Sequence, residues 1–325
     1  MRILRSGVTL AAVVWPLCLF AAHGWAQTYP AKVVRLIVPS SPGSGFDVIG
    51  RIIATGLTDA FGQQVIVDNR TGANGNIGAE IAAKAPPDGY TLLLAATSHS
   101  ANVILYRNLQ FDLVRDFAPV TLLATSPSVV VVHPSLPVKS IGDLVRLAKA
   151  RPGAINYGST GVGSTTFIGA ELFKEKAGVN IVHVPYRGGG EAMTAALSGE
   201  VSVYLPPLAP PLPYIRSGRV RALAVTSAVR LPLLSEYPTI AESGFPGFQF
   251  GSWYGIIVPV KTPKETIARI HGATMVVLKN PDVNKRLADL GYIIAGDQPE
   301  QFAAFIKSEI ESLGRILRDL RGTAE

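Results

Sequence analysis

Short apolar runs alternate with stretches of helical periodicity along most of the chain. Residues 33–39, 64–68 and 90–96 are rich in Val, Ile and Leu and predict strands, whereas 47–60 and 77–85 repeat apolar residues at helical spacing. A second series follows. Strands are predicted at 128–133, 154–157, 181–185, 201–205 and 220–226, with helices at 141–150, 165–177 and 190–198 separating most of them. Alternation of this kind implies an α/β architecture of mainly parallel sheets flanked by helices.

The last third changes character. Residues 231–250 are rich in Pro, Gly and Ser and predict a long surface loop, followed by one apolar strand at 252–258. Helices are predicted at 263–279, 282–290 and 299–320, with Asn280-Pro281 and Gly291 as stop signals. These helices have too few strands for a sheet of their own, so they are expected to pack back on the first domain. Two lobes result, 27–125 plus 251–325 and 126–250, with the chain crossing between them near 126 and 250. The tract Leu205 to Pro213 is proline-rich and is expected to open a helix with prolines in its first turn.

The N-terminus changes what counts as the mature protein. Arg2 and Arg5 precede an apolar run, 8–22, and then Gly24-Trp25-Ala26. That is the layout of a secretory signal peptide with cleavage after Ala26, and the run is too short for a membrane span. Removing 26 of the 325 residues leaves 299, enough for two cored domains. The formal charge falls from +7 to +5 with the loss of Arg2 and Arg5. The sole cysteine, Cys18, lies in the leader, so the mature chain has no thiol chemistry and no disulfide, and a periplasmic location is expected. Basic residues are scattered rather than clustered, which argues against nucleic-acid binding.

Three loops share one chemical style. The first contains Ser41, Gly43, Ser44, Gly45 and Asp47; the second Thr97, Ser98, His99, Ser100 and Asn102; the third Thr160, Gly161, Gly163, Ser164 and Thr165. Each is placed where the carboxyl end of a strand meets a helix, the crevice in which open α/β sheets bind ligands. Free amides at a helix start attract anions, and hydroxyls add donors. The same residue types also serve as ordinary turns and caps.

The first loop is not a nucleotide site. Gly43 and Gly45 match the start of G-x-G-x-x-G, but Val48 stands where the third glycine is required, and no Lys-Ser or Lys-Thr follows Gly50. Asp47 can act as a helix cap or as an acceptor for a ligand hydroxyl or amine. No G-x-S-x-G, no H-E-x-x-H and no histidine pair at metal spacing occurs, so no catalytic residue, metal or cofactor is expected. A serine hydrolase built on Ser44 or Ser164 is the remaining enzymatic alternative, though no base is recognisable beside either. His133, His183 and His271 read as structural. His99 is open: protonated it pairs with a carboxylate, neutral it holds its loop.

The motifs YPAKVVRLIVPSSPGSGFDVIGR, VDNRTGANGNIGAE, PDGYTLLLA, RDFAPVTLLA, INYGSTGVGSTTFIGAELFK, IVHVPYRGGGEA, IRSGRVRALAVTS and YPTIAESGFPGF occur in this order across the mature chain. In them the protein resembles the Bug-type solute receptors, the extracytoplasmic binding component of tripartite tricarboxylate transporters. The resemblance implies a monomeric, two-lobed clamshell that closes on a small carboxylate and delivers it to membrane permease subunits; a sensor kinase is the alternative partner. It further implies that the loops holding Thr97–Asn102 and Gly161–Thr166 grip one carboxylate and that the first loop holds the ligand's other end. Three departures stand out. Ser44 replaces a usual glycine, His99 stands among residues that are usually small, and Pro206 follows Tyr204 and Leu205 where an acid is common. Tyr204 and Pro206 therefore predict a more apolar wall, suited to a longer aliphatic or aromatic acid rather than an amino acid.

Overall fold

The computed structural model describes residues 29–317; the leader, with Cys18 and the cleavage site, and residues 318–320 of the last predicted helix lie outside them. Two mixed sheets organise the chain. The first contains β1 (Val34–Val38), β2 (Val65–Asn69), β3 (Thr91–Ala96), β4 (Phe117–Pro127), β10 (Gly251–Pro259) and β11 (Ile293–Ile294), in the order β11-β4-β10-β3-β1-β2. The second contains β5 (Val129–Val132), β6 (Asn156–Ser159), β7 (Val182–Pro185), β8 (Val203–Tyr204) and β9 (Arg221–Val225), in the order β7-β6-β8-β5-β9.

Helices cover both faces of each sheet, as the alternating pattern predicts. On one face of the first sheet, α1 (Gly45–Phe61) buries Ile49, Ile53 and Leu57 beside Ile270 and Val277 of α8 (Lys264–Lys279). On the other face, α2 (Asn76–Ala83) and α10 (Pro299–Leu317) bury Ala79, Ala82, Phe302 and Ile306 against Trp253 and Ile257. In the second sheet, α4 (Ile141–Ala150) and α5 (Thr165–Ala177) pack on one side, with α6 (Gly189–Ser198) and α7 (Leu212–Arg216) on the other. Prolines do occupy the start of α7. The remaining helices are α3 (Thr97–Leu105) and α9 (Pro281–Asp289). Among the described residues no helix is long and apolar enough to cross a membrane.

Two expectations need correction. The sheets are mixed rather than mainly parallel: β1 pairs in parallel with β2 and β3, and β6 with β7 and β8, but β4, β5 and β10 run antiparallel to their neighbours. Strand β4 has no counterpart among the predicted elements, because Pro119, Thr121, Thr125 and Ser126 break up its apolar pattern. It is nonetheless central, held between β10 and β11.

The chain passes between the sheets twice, from β4 into β5 across Ser128 and from the loop after β9 into β10 at Gly251. One side chain ties these crossings together. Thr226 Oγ1 accepts from the Ser128 amide at 2.7 Å and donates to the Phe250 carbonyl at 2.5 Å, while the Thr226 carbonyl accepts from the Phe250 amide at 3.0 Å. Thr226 is fully buried, so no solvent substitutes for its hydroxyl. Thr226→Val keeps the shape and leaves buried polar groups unpaired. It is expected to lower stability in urea unfolding by about 1–3 kcal/mol; an unchanged midpoint contradicts this role.

Candidate functional site

The parallel strands β1, β6 and β7, together with β3, end at one place, and the helices that follow them start there. Between the two sheets these starts enclose a cleft of about 530 Å³. Ser41, Ser44, Gly45, Ser98, Thr160, Gly161, Ser164, Thr165, Tyr204 and Pro206 line it. Gly43, Asp47, Thr97, His99, Ser100, Asn102 and Gly163 do not, and most of them fix the lining residues from behind.

In the first loop Ser44 is the N-cap of α1, accepting from the Asp47 amide at 3.3 Å. Asp47 faces back into its own loop. Its carboxylate accepts from the Gly43 amide and Arg51 Nε, both at 2.9 Å, and from Asn69 Nδ2 at 3.0 Å. Burial alone would raise its pKa, but these donors outweigh that and hold it below the usual carboxylate range. Asp47 is therefore an ionised brace of the loop, with its oxygens already engaged.

The second loop is helical. Thr97–Leu105 form α3 directly after β3, without a connecting loop. The N-cap, Ala96, has no side chain to satisfy the first amides, and His99 supplies half of the usual cap by accepting the Ala96 amide on Nδ1 at 3.1 Å. His99 is completely buried, and burial pushes its pKa down to about 4. Its other ring nitrogen lies against the Gly75 backbone without a well-formed hydrogen bond. His99 is thus neutral and holds the loop; it is not a cation for a ligand. Asn102 joins Asn74 and Asn76 in an amide network, donating to Asn76 Oδ1 at 2.6 Å and accepting from Asn74 Nδ2 at 2.8 Å. Thr97 Oγ1 accepts from the Trp253 amide. Ser98 alone of this group reaches the cleft.

In the third loop Ser164 caps α5 by accepting from the Phe167 amide at 3.2 Å, and Thr166 Oγ1 accepts from the Thr160 amide at 3.0 Å. The amides of Thr165 and Thr166 precede any intrahelical partner and remain at the cleft. Behind them, Ser159 Oγ accepts from the Gly161 amide at 3.0 Å and contacts His183 Nε2 at 2.6 Å. His183 therefore supports the loop, and His271 contacts the Asp297 carbonyl, as structural histidines should.

Several lining residues escape the sequence reading. Thr71–Gly75 forms one wall, with positive φ at Gly72, Ala73, Asn74 and Gly75 in succession. Such backbone is costly for Ala and Asn and is concentrated at functional sites; the Asn-Gly pair in RTGANG is the signal that could have found it. Phe46, Tyr186, Arg187, Pro207 and Tyr254 line the cleft as well. Arg187 is the one charged residue among the described lining residues, and no acid is present there.

The two sides of the cleft touch. A Cβ on Gly163 (φ +80°) would fall 2.6 Å from Leu105 Cδ1, and one on Gly188 would fall 2.6 Å from Ser41 Oγ. Loops from the two sheets meet at both places, and the positive φ of Gly163 favours glycine there whatever the space. As for hydrolysis, Ser44 and Ser164 are bonded as helix caps, and neither has an imidazole or carboxylate partner among the described residues.

Two α/β lobes around a cleft floored by helix starts define the class, a two-lobed periplasmic binding protein. Residues 49–321 match the family described as the tripartite tricarboxylate transporter family receptor, and the chain belongs to that family. Protein BugT of Bordetella pertussis is 34% identical over 301 residues, covering 92% of each chain. The solved structure of R. palustris Rpa4515 with adipate is 35% identical, has a TM-score of 0.86 and covers 88% of this chain and 97% of that one. MatC (Rpa3494) from Rhodopseudomonas palustris with bound malate is 29% identical, has a TM-score of 0.84 and covers 91% and 100%. The protein is a solute-binding receptor of this family, which places it in the periplasm.

The state of His99 is testable through stability. An unfolded histidine titrates near 6.5 and the folded one near 4. The contribution is complete above the unfolded value and is lost as pH falls from about 6.5 towards 4, because the unfolded chain takes the proton first. It amounts to something on the order of 3 kcal/mol. His99→Gln is expected to flatten the acid limb of stability against pH in urea unfolding; parallel curves for the two proteins contradict a buried neutral His99.

Proposed function

We propose that this receptor captures a small carboxylate in the periplasm and delivers it to the membrane permease subunits of a tripartite tricarboxylate transporter. The observation that carries this reading is the composition of the cleft: helix starts and one arginine line it, and no acid does. Amides at the N-termini of α1, α3, α5 and α6 supply partial positive charge without a cation's desolvation cost. The absence of a lining acceptor with negative charge disfavours an ammonium group, and hence amino acids. The adipate and malate held by the two R. palustris relatives support a carboxylate as the solute.

Capture proceeds by closure. The described parts of 27–125 plus 251–325 form one lobe and 126–250 the other, moving about the crossings at Ser128 and Gly251. The ligand favours closure because α3 amides from one lobe and α5 amides from the other converge on it only when the lobes meet. The mature protein begins after Ala26. A thermal-shift screen of carboxylic acids against their amides and against glutamate and aspartate tests the reading. At about 100 times its Kd a ligand stabilises by about 2.7 kcal/mol, so one or more simple acids should raise the melting temperature by several degrees. No response to any acid, or the largest response from an amino acid, contradicts it.

A further inference from the structure

A second cavity, of about 450 Å³, lies at the crossings between the two sheets. Both crossings line it, through Ser126 and Pro127 at the end of β4 and through Phe250 and Gly251 at the start of β10. Leu172 of α5 and Ser227 close it from the second lobe, and Phe305, Glu309 and Leu313 of α10 from the first. Successive residues of a strand face opposite ways. Tyr254 accordingly lines the cleft described above and Trp253 lines this cavity, with Ser252 bordering both.

Glu309 is the one charged residue among the described lining residues, and it makes no ion pair with a described base. Three and four residues away on α10 stand Phe305, Ile306, Ser312 and Leu313, so its own helix offers no cation. Burial raises its pKa, and the Trp253 indole beside it acts in the opposite sense. Trp253 is 2% exposed, and its Nε1 is buried without a well-formed hydrogen bond. Phe305 meets the Trp253 ring edge-on, with centroids 5.9 Å apart. A carboxylate withdrawn from water without a counter-charge is costly to keep ionised, and an incoming cation removes that cost.

We propose that this cavity is a second ligand site, which takes an organic ammonium ion with an apolar body, its charge on Glu309 and its body against Phe250, Trp253 and Phe305. The chemistry of the lining disfavours the alternatives. A calcium ion takes roughly six or more oxygen ligands, and no group of three His, Cys, Asp or Glu occurs among the described residues. An acid meets the like charge of Glu309, and a neutral apolar molecule leaves that carboxylate unpaired. An ammonium both pairs with it and gains from aromatic faces, which attract cations. The site is independent of what the cleft binds.

The test uses protein purified from the periplasm, where loss of the leader with Trp15 and Trp25 leaves Trp253 as the sole tryptophan. Its fluorescence reports on the cavity during titration with 2-phenylethylamine, 2-phenylethanol, methylamine and calcium chloride. Wild type is expected to bind 2-phenylethylamine about tenfold more tightly than either 2-phenylethanol or methylamine. Glu309→Gln brings the amine and the alcohol within about twofold of each other. Ser312→Phe, one turn along the same face of α10, narrows the cavity and weakens both. The site is overturned if wild type does not distinguish amine from alcohol, if Glu309→Gln keeps the preference, or if Ser312→Phe leaves amine binding unchanged. Tighter binding of methylamine or calcium than of 2-phenylethylamine overturns the ligand class. Wild type that responds to acids in the thermal-shift screen but binds no amine overturns this site and leaves the carboxylate reading standing.

Discussion

An α-helix starts with amides that its own carbonyls cannot reach, and this receptor is organised around where those amides are left. Strand order brings the carboxyl ends of β1, β3, β6 and β7 to one cleft, so that α1, α3, α5 and α6 all begin there. Caps from Ser44 and Ser164 satisfy one amide each and orient the rest. A site made this way attracts an anion without burying a formal charge in the unliganded protein. Arg187, the one full charge, is kept at an exposed loop where water still solvates it.

The proposed closure depends on how closely the two halves approach. Gly163 and Gly188 leave room for Leu105 and Ser41, whose side-chain ends would have to move to admit a Cβ. The left-handed run at Gly72–Gly75 stores strain beside the same contact, stabilised by the network of Asn74, Asn76 and Asn102. At the opposite end, Thr226 clasps both strand crossings. Under the proposed closure, the crossings held by Thr226 would act as the hinge and the lobe angle as the coordinate a ligand biases.

The sequence made much of this legible, and the reasons for the rest are physical. Apolar runs such as TLLLAA, buried along nearly its whole length, mark strands unambiguously. FAPVTLLATSP does not, because Pro119, Thr121, Thr125 and Ser126 interrupt its apolar run, the last two leading into the crossing at Ser128. The loops of Ser44 and Ser164 were identifiable from cap chemistry, since a cap is a local signal. Thr97–Asn102 has the composition of a loop for the same reason: its Ser, Thr and Asn content obscures a helix whose cap is completed by His99 from the third helical position. Asp47 shows the complementary limit. Its carboxylate is engaged by Arg51, four residues on, and by Asn69 on another strand, and only the latter contact is invisible to local reading. Arg187 and the Gly72–Gly75 wall leave no local signal of their role, because they line a cleft that exists only when both sheets are assembled.

The central claim is that helix-start amides from both lobes hold the carboxylate. Amide chemical shifts measured by NMR on ¹⁵N-labelled protein, during titration with the tightest-binding acid, test it most directly. The account predicts that the largest downfield proton shifts fall on Ser98, Thr165 and Thr166, and that the corresponding amide or ester of the acid fails to produce them. Shifts confined to residues outside the cleft, or equal shifts with the uncharged analogue, would contradict it.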